Sequence, residues 1–412
     1  MNKSPRLVAL ETLYSIFYDG SYSNIALDKA LSDIKENKAF ISALVYGVTE
    51  RKITLDYFID KYAQGRIKPK VRIVLWLGAY QLLFMDKVPS SASINESVKL
   101  VKEIKQDYYS KLVNAVLHKI DNDRQIPDDL SVKYSVPENL INMWKKQYGE
   151  DVLNEFLPCI NDKPPLFAIP NKKFVNSDEL LYELECDGIL GEAYDEFVLI
   201  ENANDLTDSK AFKNGLFYIE DLSSFNCANA LDALGDDVVL DMCSAPGGKA
   251  FTISQSMNNS GKIYCYDLHE HRLNLIKSSA KRLSIDNIYT DVNDATVYNE
   301  NIPKADKILC DVPCSGFGII RRKPEIRYKD LDSVKDLPQI QYKILETSSR
   351  YLKDGGRIIY STCTLNKKEN ENVVNKFLKD HSGYKLLKDK TVFPSTVGGD
   401  GFYYAIMVKN EN

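Results

Sequence analysis

Residues 238–257 read VVLDMCSAPGGKAFTISQSM. A short β-branched run ends at an aspartate, breaks at Pro246 and the Gly247–Gly248 pair, and passes into a helical stretch. Strand, glycine turn and helix together form the opening unit of a doubly wound α/β sheet. The turn carries no bulky side chain, so a ligand can approach its backbone, and the following helix offers free N–H groups. The GxGxxG spacing of dinucleotide sites is missing, which disfavours NAD.

The same alternation runs on to the C terminus. KIYCYD (262–267), IYTDV (288–292), KILCDV (307–312), RIIYST (357–362) and FYYAIMV (402–408) are strand-like, and amphipathic segments such as HRLNLIKSSAKRLS and ENVVNKFLKD lie between them. Ligands of such sheets sit beyond the carboxyl ends of the strands, so the residues there carry the reading. Asp267 ends the second strand, where an acid accepts bonds from ribose hydroxyls. Asp294 ends the third strand region, where a carboxylate or its neighbours can face an adenine. Asp311, Pro313, Cys314 and Ser315 follow the fourth strand, and Cys363 follows the fifth.

Upstream the pattern is different. Residues 1–120 place apolar positions three and four apart in LVALETLYSIF, NIALDKALSDI, AFISALVYGVTERKITLDYFI and KLVNAVLHKI, which predicts an all-helical region. IVLWLGAYQLLFM (73–85) is too short to span a bilayer and reads as a buried core helix. DNDRQIPDDLSVKYSVP (121–137) reads as a linker. The expected organisation is a helical domain over 1–125, a linker with a small α/β region over 126–214, and a Rossmann-like α/β domain over 215–412.

Composition fits a soluble globular protein, with 44% hydrophobic and 27% charged residues. The net charge of −5 argues weakly against nucleic acid, but local patches override a net value. Candidate basic faces are Arg66, Lys68, Lys70 and Arg72, and the cluster over 321–329. Eight scattered cysteines without a CxxC pair suit reduced thiols in a cytoplasmic setting. Cys159, Cys186, Cys227, Cys265 and Cys310 read as packing. No metal set is expected around Cys310 and Cys314, because further ligands are missing nearby. The N-terminal stretch has no signal-peptide pattern, and a monomer is expected.

A thiol paired with an acid beside a cofactor suits one chemistry. C5 of cytosine is a poor nucleophile until a thiolate adds at C6. C5 can then attack an electrophilic methyl group, while a carboxylic acid stabilises charge at N3 and a base removes the C5 proton. Cys363, Asp311, the 243–249 turn and Cys314 supply thiol, acid, methyl-donor pocket and second acid/base in turn.

CSAPGGK, Asp267, DVPCSGFG and STCT together resemble the RNA cytosine-C5 methyltransferases that use S-adenosylmethionine. The helical region, with LVYGVTERK and KLVNAVLHKI, is similar to the NusB-like RNA-binding domain. The combination, over nearly the whole chain, resembles the bacterial RsmB (Sun) family, which methylates a cytosine of small-subunit (16S) ribosomal RNA. The resemblance implies S-adenosylmethionine contacts from Cys243, Ser244, Ala245, Pro246, Gly247, Gly248, Lys249, Asp267, Asp294 and Asp311. It implies Cys363 as nucleophile and Cys314 in product release. GIIRRKPEIRY (318–328) matches the family pattern, which makes Arg321, Arg322, Lys323 and Arg327 candidates for RNA phosphate contacts. The chain carries Ile169, Glu220 and Phe225 where the family pattern has Arg, Gln and Gln. Three other readings stand beside this one: a transfer-RNA or different ribosomal cytosine, an inactive RNA-binding assembly factor, and a small-molecule methyltransferase.

Overall fold

A computed structural model describes residues 3–202, 206–394 and 398–411. The chain divides into two compact units. One comprises the residues up to Asp162 together with Ile320–Asp330, and the other comprises Lys163–Ile319 and Leu331–Asn412.

The first unit is helical: α1 (Pro5–Tyr18), α2 (Ser23–Leu31), α3 (Lys38–Tyr62), α4 (Pro69–Phe84), α5 (Ser90–Glu103), α6 (Ser110–Asn122), α7 (Leu130–Tyr134), α8 (Glu138–Tyr148) and α9 (Glu150–Phe156). Helix α1 starts where Ser4 accepts the Leu7 N–H and Pro5 occupies the first helical position, where its missing N–H costs nothing. Beyond its first turn helix α4 is almost wholly apolar and packs against α1, α3, α5 and α6, with Val71 and Ile73 through Leu77 buried. Trp76 donates to Asp56 at 2.7 Å, so its one polar atom is satisfied.

Residues 121–137 do not act as a linker. Val132 O accepts from Thr54 Oγ1 at 2.5 Å, Ser135 Oγ accepts the Ile53 N–H at 2.9 Å, and Asp129 caps α7. The short polar side chains that mark a turn in sequence bond to backbone here and bind the segment to α3. The 126–214 region is accordingly not one piece: residues to Asp162 belong to the helical unit and those from Lys163 to the other.

The second unit holds two sheets. Strands β1 (Leu166–Pro170), β2 (Gly191–Tyr194), β3 (Phe197–Ile200) and β4 (Phe217–Ile219) form a small antiparallel sheet in the order β2-β3-β1-β4, covered by α10 (Ser177–Cys186) and α11 (Lys210–Lys213). Helix α12 (Leu222–Asn229) leads to the large sheet. Its strands are β5 (Val238–Asp241), β6 (Lys262–Asp267), β7 (Ile288–Val292), β8 (Ala305–Asp311), β9 (Leu352–Thr362), β10 (Tyr384–Val392) and β11 (Phe402–Lys409), in the order β10-β11-β9-β8-β5-β6-β7. Helices α13 (Gly248–Ser256), α14 (Glu270–Arg282), α15 (Leu337–Ser349) and α16 (Glu371–Asp380) alternate with them. Strands β5 to β9 are parallel, and β11 enters antiparallel beside β9. The strand order reverses at β5, so its carboxyl end opens a crevice. Among the described residues, no helix is long and apolar enough to cross a membrane.

Candidate functional site

The carboxyl end of β5 opens onto a cavity of about 370 Å³, within the range of small-molecule sites. Cys243, Ser244, Ala245, Pro246, Gly248, Lys249 and Asp311 line it, as do Glu220 and Asp241. Gly247, Asp267 and Asp294 lie outside that lining. Gly247 caps α13 with φ +108°, and a Cβ there would stand 2.8 Å from the Phe251 ring, so the turn excludes a side chain on steric as well as backbone grounds.

A charged cluster forms the cavity wall. Lys249 Nζ lies 2.8 Å from Asp311 Oδ2, and Ser361 Oγ donates to Asp311 Oδ1 at 2.8 Å. Burial works against the lysine's charge, yet Asp311 and Glu220 hold its ammonium form above the usual range. Burial pushes Glu220 up to about 7 against the pull of Lys249, while Thr252 donates to its Oε2 at 2.6 Å. Burial likewise pushes Asp241 up to about 7, and its Oδ1 has no hydrogen-bond partner. Two buried acids and one unmet acceptor suit a ligand that carries positive charge and hydrogen-bond donors.

Glu220 supplies a test of these electrostatics. An acid that holds its proton more tightly folded than unfolded stabilises the fold fully below its unfolded value, here near 4.5, and loses that contribution as pH rises to about 7. In ligand-free protein, Glu220→Gln is therefore expected to raise unfolding free energy at pH 8 by ~1–3 kcal/mol and to change it little at pH 5. Urea melts at the two pH values measure this, and an equal gain at both contradicts the assignment.

Asp267 is the last residue of β6 and is buried. It takes the His269 N–H at 3.1 Å and pairs with Arg272 at 3.1 Å. Asp294 is exposed beyond β7, where its Oδ1 takes both the N–H and the hydroxyl of Thr296. Its neighbour Asn293 is buried with Nδ2 unpartnered, a feature nothing in the sequence singles out.

The two cysteines meet. Strands β8 and β9 are parallel neighbours with Asp311 opposite Ser361, so the loops that follow them lie side by side. Cys314 Sγ and Cys363 Sγ are 3.2 Å apart, both partly buried and both free thiols. The hydrogen bond to Cys363, and then burial, push Cys314 well above the usual thiol range, so Cys314 holds a proton to offer across that gap. Gly318 keeps the loops close: a Cβ on it would lie 1.9 Å from Gly401 O and 2.8 Å from Cys363 O. Of the cysteines read as packing, Cys227 and Cys310 are fully buried and pushed by burial up to about 12, and Cys265 is also buried and raised.

The basic cluster after Cys314 divides. Arg327 is 1% exposed, and Nη1 donates to Glu50 O at 2.9 Å, Ser135 O at 3.1 Å and Asn161 Oδ1 at 2.9 Å. It binds α3 and the segments after α7 and α9 within the helical unit, which corrects its reading as a phosphate contact. Arg321 is also buried, whereas Arg322 and Lys323 are partly exposed. Upstream, Arg66, Lys68 and Lys70 are exposed, and Arg72 pairs with Asp56 and Asp60. Arg327→Ala is expected to cost the fold ~2–4 kcal/mol, because buried acceptors lose their donor. Thermal denaturation reads this cost; unchanged stability with weakened RNA binding contradicts it.

Comparison with known proteins agrees with the fold. Residues 228–408 match the family described as 16S rRNA methyltransferase RsmB/F, and residues 3–122 match the NusB family. The chain is 33% identical to the probable ribosomal RNA small subunit methyltransferase B of Bacillus subtilis, covering 98% of this chain and 99% of that one. It is 30% identical to the corresponding protein of Synechocystis sp., covering 93% and 90%. A crystal structure described as that of PH0851 superimposes with a TM-score of 0.83 at 27% identity, covering 99% of this chain and 100% of that one. A NusB-type helical region followed by a Rossmann-like sheet, alike over full length in sequence and in shape, places this chain in the RsmB/F family of S-adenosylmethionine-dependent RNA methyltransferases.

Proposed function

We propose that the protein methylates C5 of a cytosine in small-subunit (16S) ribosomal RNA through a covalent adduct between Cys363 and C6. The observation that carries this reading is the pair of thiols 3.2 Å apart at the ends of adjacent strands, next to the Asp311–Lys249 ion pair. A small-molecule methyltransferase has no need of two such thiols.

The cavity residues fit S-adenosylmethionine. Residues 243–249 and Asp311 would hold it, Asp267, just outside the lining, would offer lone pairs to ribose hydroxyls, and Asp294 with Asn293 would suit the adenine. When bound, the cofactor supplies a methyl group on a sulfonium, an electrophile.

Cys363 adds to C6 as thiolate and makes C5 nucleophilic. Asp311, held between Lys249 and Ser361, orients the N3 edge. The S–H of Cys314 stabilises the Cys363 thiolate before attack. Once Cys363 is a thioether, the hydrogen bond that chiefly holds the Cys314 proton is gone; Cys314 gives that proton to solvent, and its thiolate then takes the C5 proton as the C6–S bond breaks and Cys363 leaves as thiolate. The target base must be unpaired or flipped out of a duplex, at a cost of a few kcal/mol.

Bisulfite sequencing of total RNA from cells with and without the gene tests the substrate. Loss of one unconverted cytosine from small-subunit rRNA is expected. Loss of a transfer-RNA signal instead contradicts the ribosomal assignment.

A further inference from the structure

Behind the two thiols lies a carboxylate that the mechanism above does not use. Glu369 is 0% exposed and, among the described residues, forms no ion pair with lysine or arginine. Four neutral donors converge on it. Oε2 accepts the Ser315 N–H at 2.9 Å and Gln341 Nε2 at 3.0 Å, and Oε1 accepts Ser315 Oγ at 2.6 Å and Asn366 Nδ2 at 2.8 Å.

Three of these donors come from the two thiol loops, and the fourth, Gln341, reaches in from α15. Ser315 adjoins Cys314, and Gln341 Nε2 also bonds Pro313 O at 3.0 Å, on the other side of Cys314. Asn366 belongs to the loop of Cys363. Ser315 Oγ and Thr364 Oγ1 are 2.7 Å apart, and Thr364 Oγ1 accepts the Phe317 N–H at 3.2 Å. Because the single Ser315 hydroxyl proton goes to the carboxylate, the proton between the hydroxyls belongs to Thr364. The chain of bonds therefore runs from Phe317 through Thr364 and Ser315 to Glu369, crossing from one loop to the other and back.

A buried carboxylate with no cation is an expensive way to gain stability, since apolar side chains of similar volume serve as well or better. What it does provide is direction. Every lone pair that the four donors use fixes a loop position, and the acceptor-only group accepts all four at once.

We infer that Glu369 is a positioning residue for the RNA methylation reaction, a clasp that sets the distance between the Cys314 and Cys363 thiols. The inference rests on the proposed roles of those thiols, but the clasp itself can be tested without RNA. Glu369→Gln keeps the volume and turns one acceptor into an NH2 that faces other donors.

The test oxidises the reduced full-length protein with the thiol oxidant diamide. Each Cys314–Cys363 disulfide formed removes two thiol hydrogens, and diamide is reduced to the hydrazine. The rate is read as the mass loss on the linked peptides. Glu369→Gln is expected to slow this closure at least ~10-fold and to lower kcat on RNA by ~10²-fold, with the Kd for S-adenosylmethionine within twofold of wild type. Ser315→Ala, which removes only the hydroxyl link, is expected to shift both rates in the same direction by less, and it decides the matter if Glu369→Gln does not fold. Unchanged closure and kcat in a folded variant overturn the clasp. So does a fall in both that merely tracks the folded fraction seen by circular dichroism. If closure slows in Glu369→Gln while wild type methylates no cytosine, the clasp stands and the proposed function falls.

Discussion

Cys363→Ala is expected to leave a folded protein that binds S-adenosylmethionine normally and methylates no RNA. The side chain lies just beyond the end of β9 and is only partly buried, so its loss opens little of the core. The cavity residues do not include it. Activity should fall by about four orders of magnitude or more, the scale at which loss of a covalent nucleophile shows. Cys314 is 3.2 Å away but should not take over, because it follows β8 and holds its proton. Single-turnover methylation with radiolabelled methyl donor measures the fall. Retained activity means that another group attacks the base.

Cys314→Ala should fail at the other end of the reaction. Attack by Cys363 and methyl transfer need only the thiolate, the pocket and Asp311. Elimination needs a base for the C5 proton, and alanine has none. The variant is expected to accumulate RNA-linked protein that survives denaturation and migrates slowly on a gel, with turnover down by about 10²–10⁴-fold. Loss of the neighbouring S–H also removes a donor from the Cys363 thiolate, so the adduct should form more slowly than in the wild-type first turnover. A variant that turns over freely without an adduct assigns the elimination step to a different base.

Much of this site was legible because strand ends are legible. KIYCYD and IYTDV coincide with β6 and β7, and ENVVNKFLKD coincides with α16. Once those runs are placed, Asp267, Asp311, Cys314 and Cys363 must face the carboxyl edge. Strand β10 is hard to read because YKLLKDKTV carries three lysines and sits at the sheet edge, where among the described residues it pairs only with β11. An edge strand facing solvent needs no apolar alternation.

The acids that complete the site were hidden for a different reason. Glu220 stood out only as a departure from the family's glutamine, and Asp241 as the end of a strand. Glu369 lies in KKENEN, which reads as a solvated charge run. What makes each of them important is burial and distant partners: Thr252 for Glu220, and Ser315 and Gln341 for Glu369. Arg327 shows the converse. In sequence it belongs to a basic cluster, and in the fold its charge is spent on backbone carbonyls. A charge in the sequence reports the residue type and not whether water can reach it.

In the proposed mechanism Cys363 forms the bond to cytosine. Mapping the adduct tests it most directly: Cys314→Ala is mixed with S-adenosylmethionine and small-subunit rRNA, the RNA and protein are digested, and the peptide bearing a nucleotide mass is sequenced by mass spectrometry. The mass is expected on Cys363 as a methylated cytidine nucleotide, and it should vanish when Cys363 is also replaced by alanine. A nucleotide on any other residue, or no adduct while methylation continues, contradicts it.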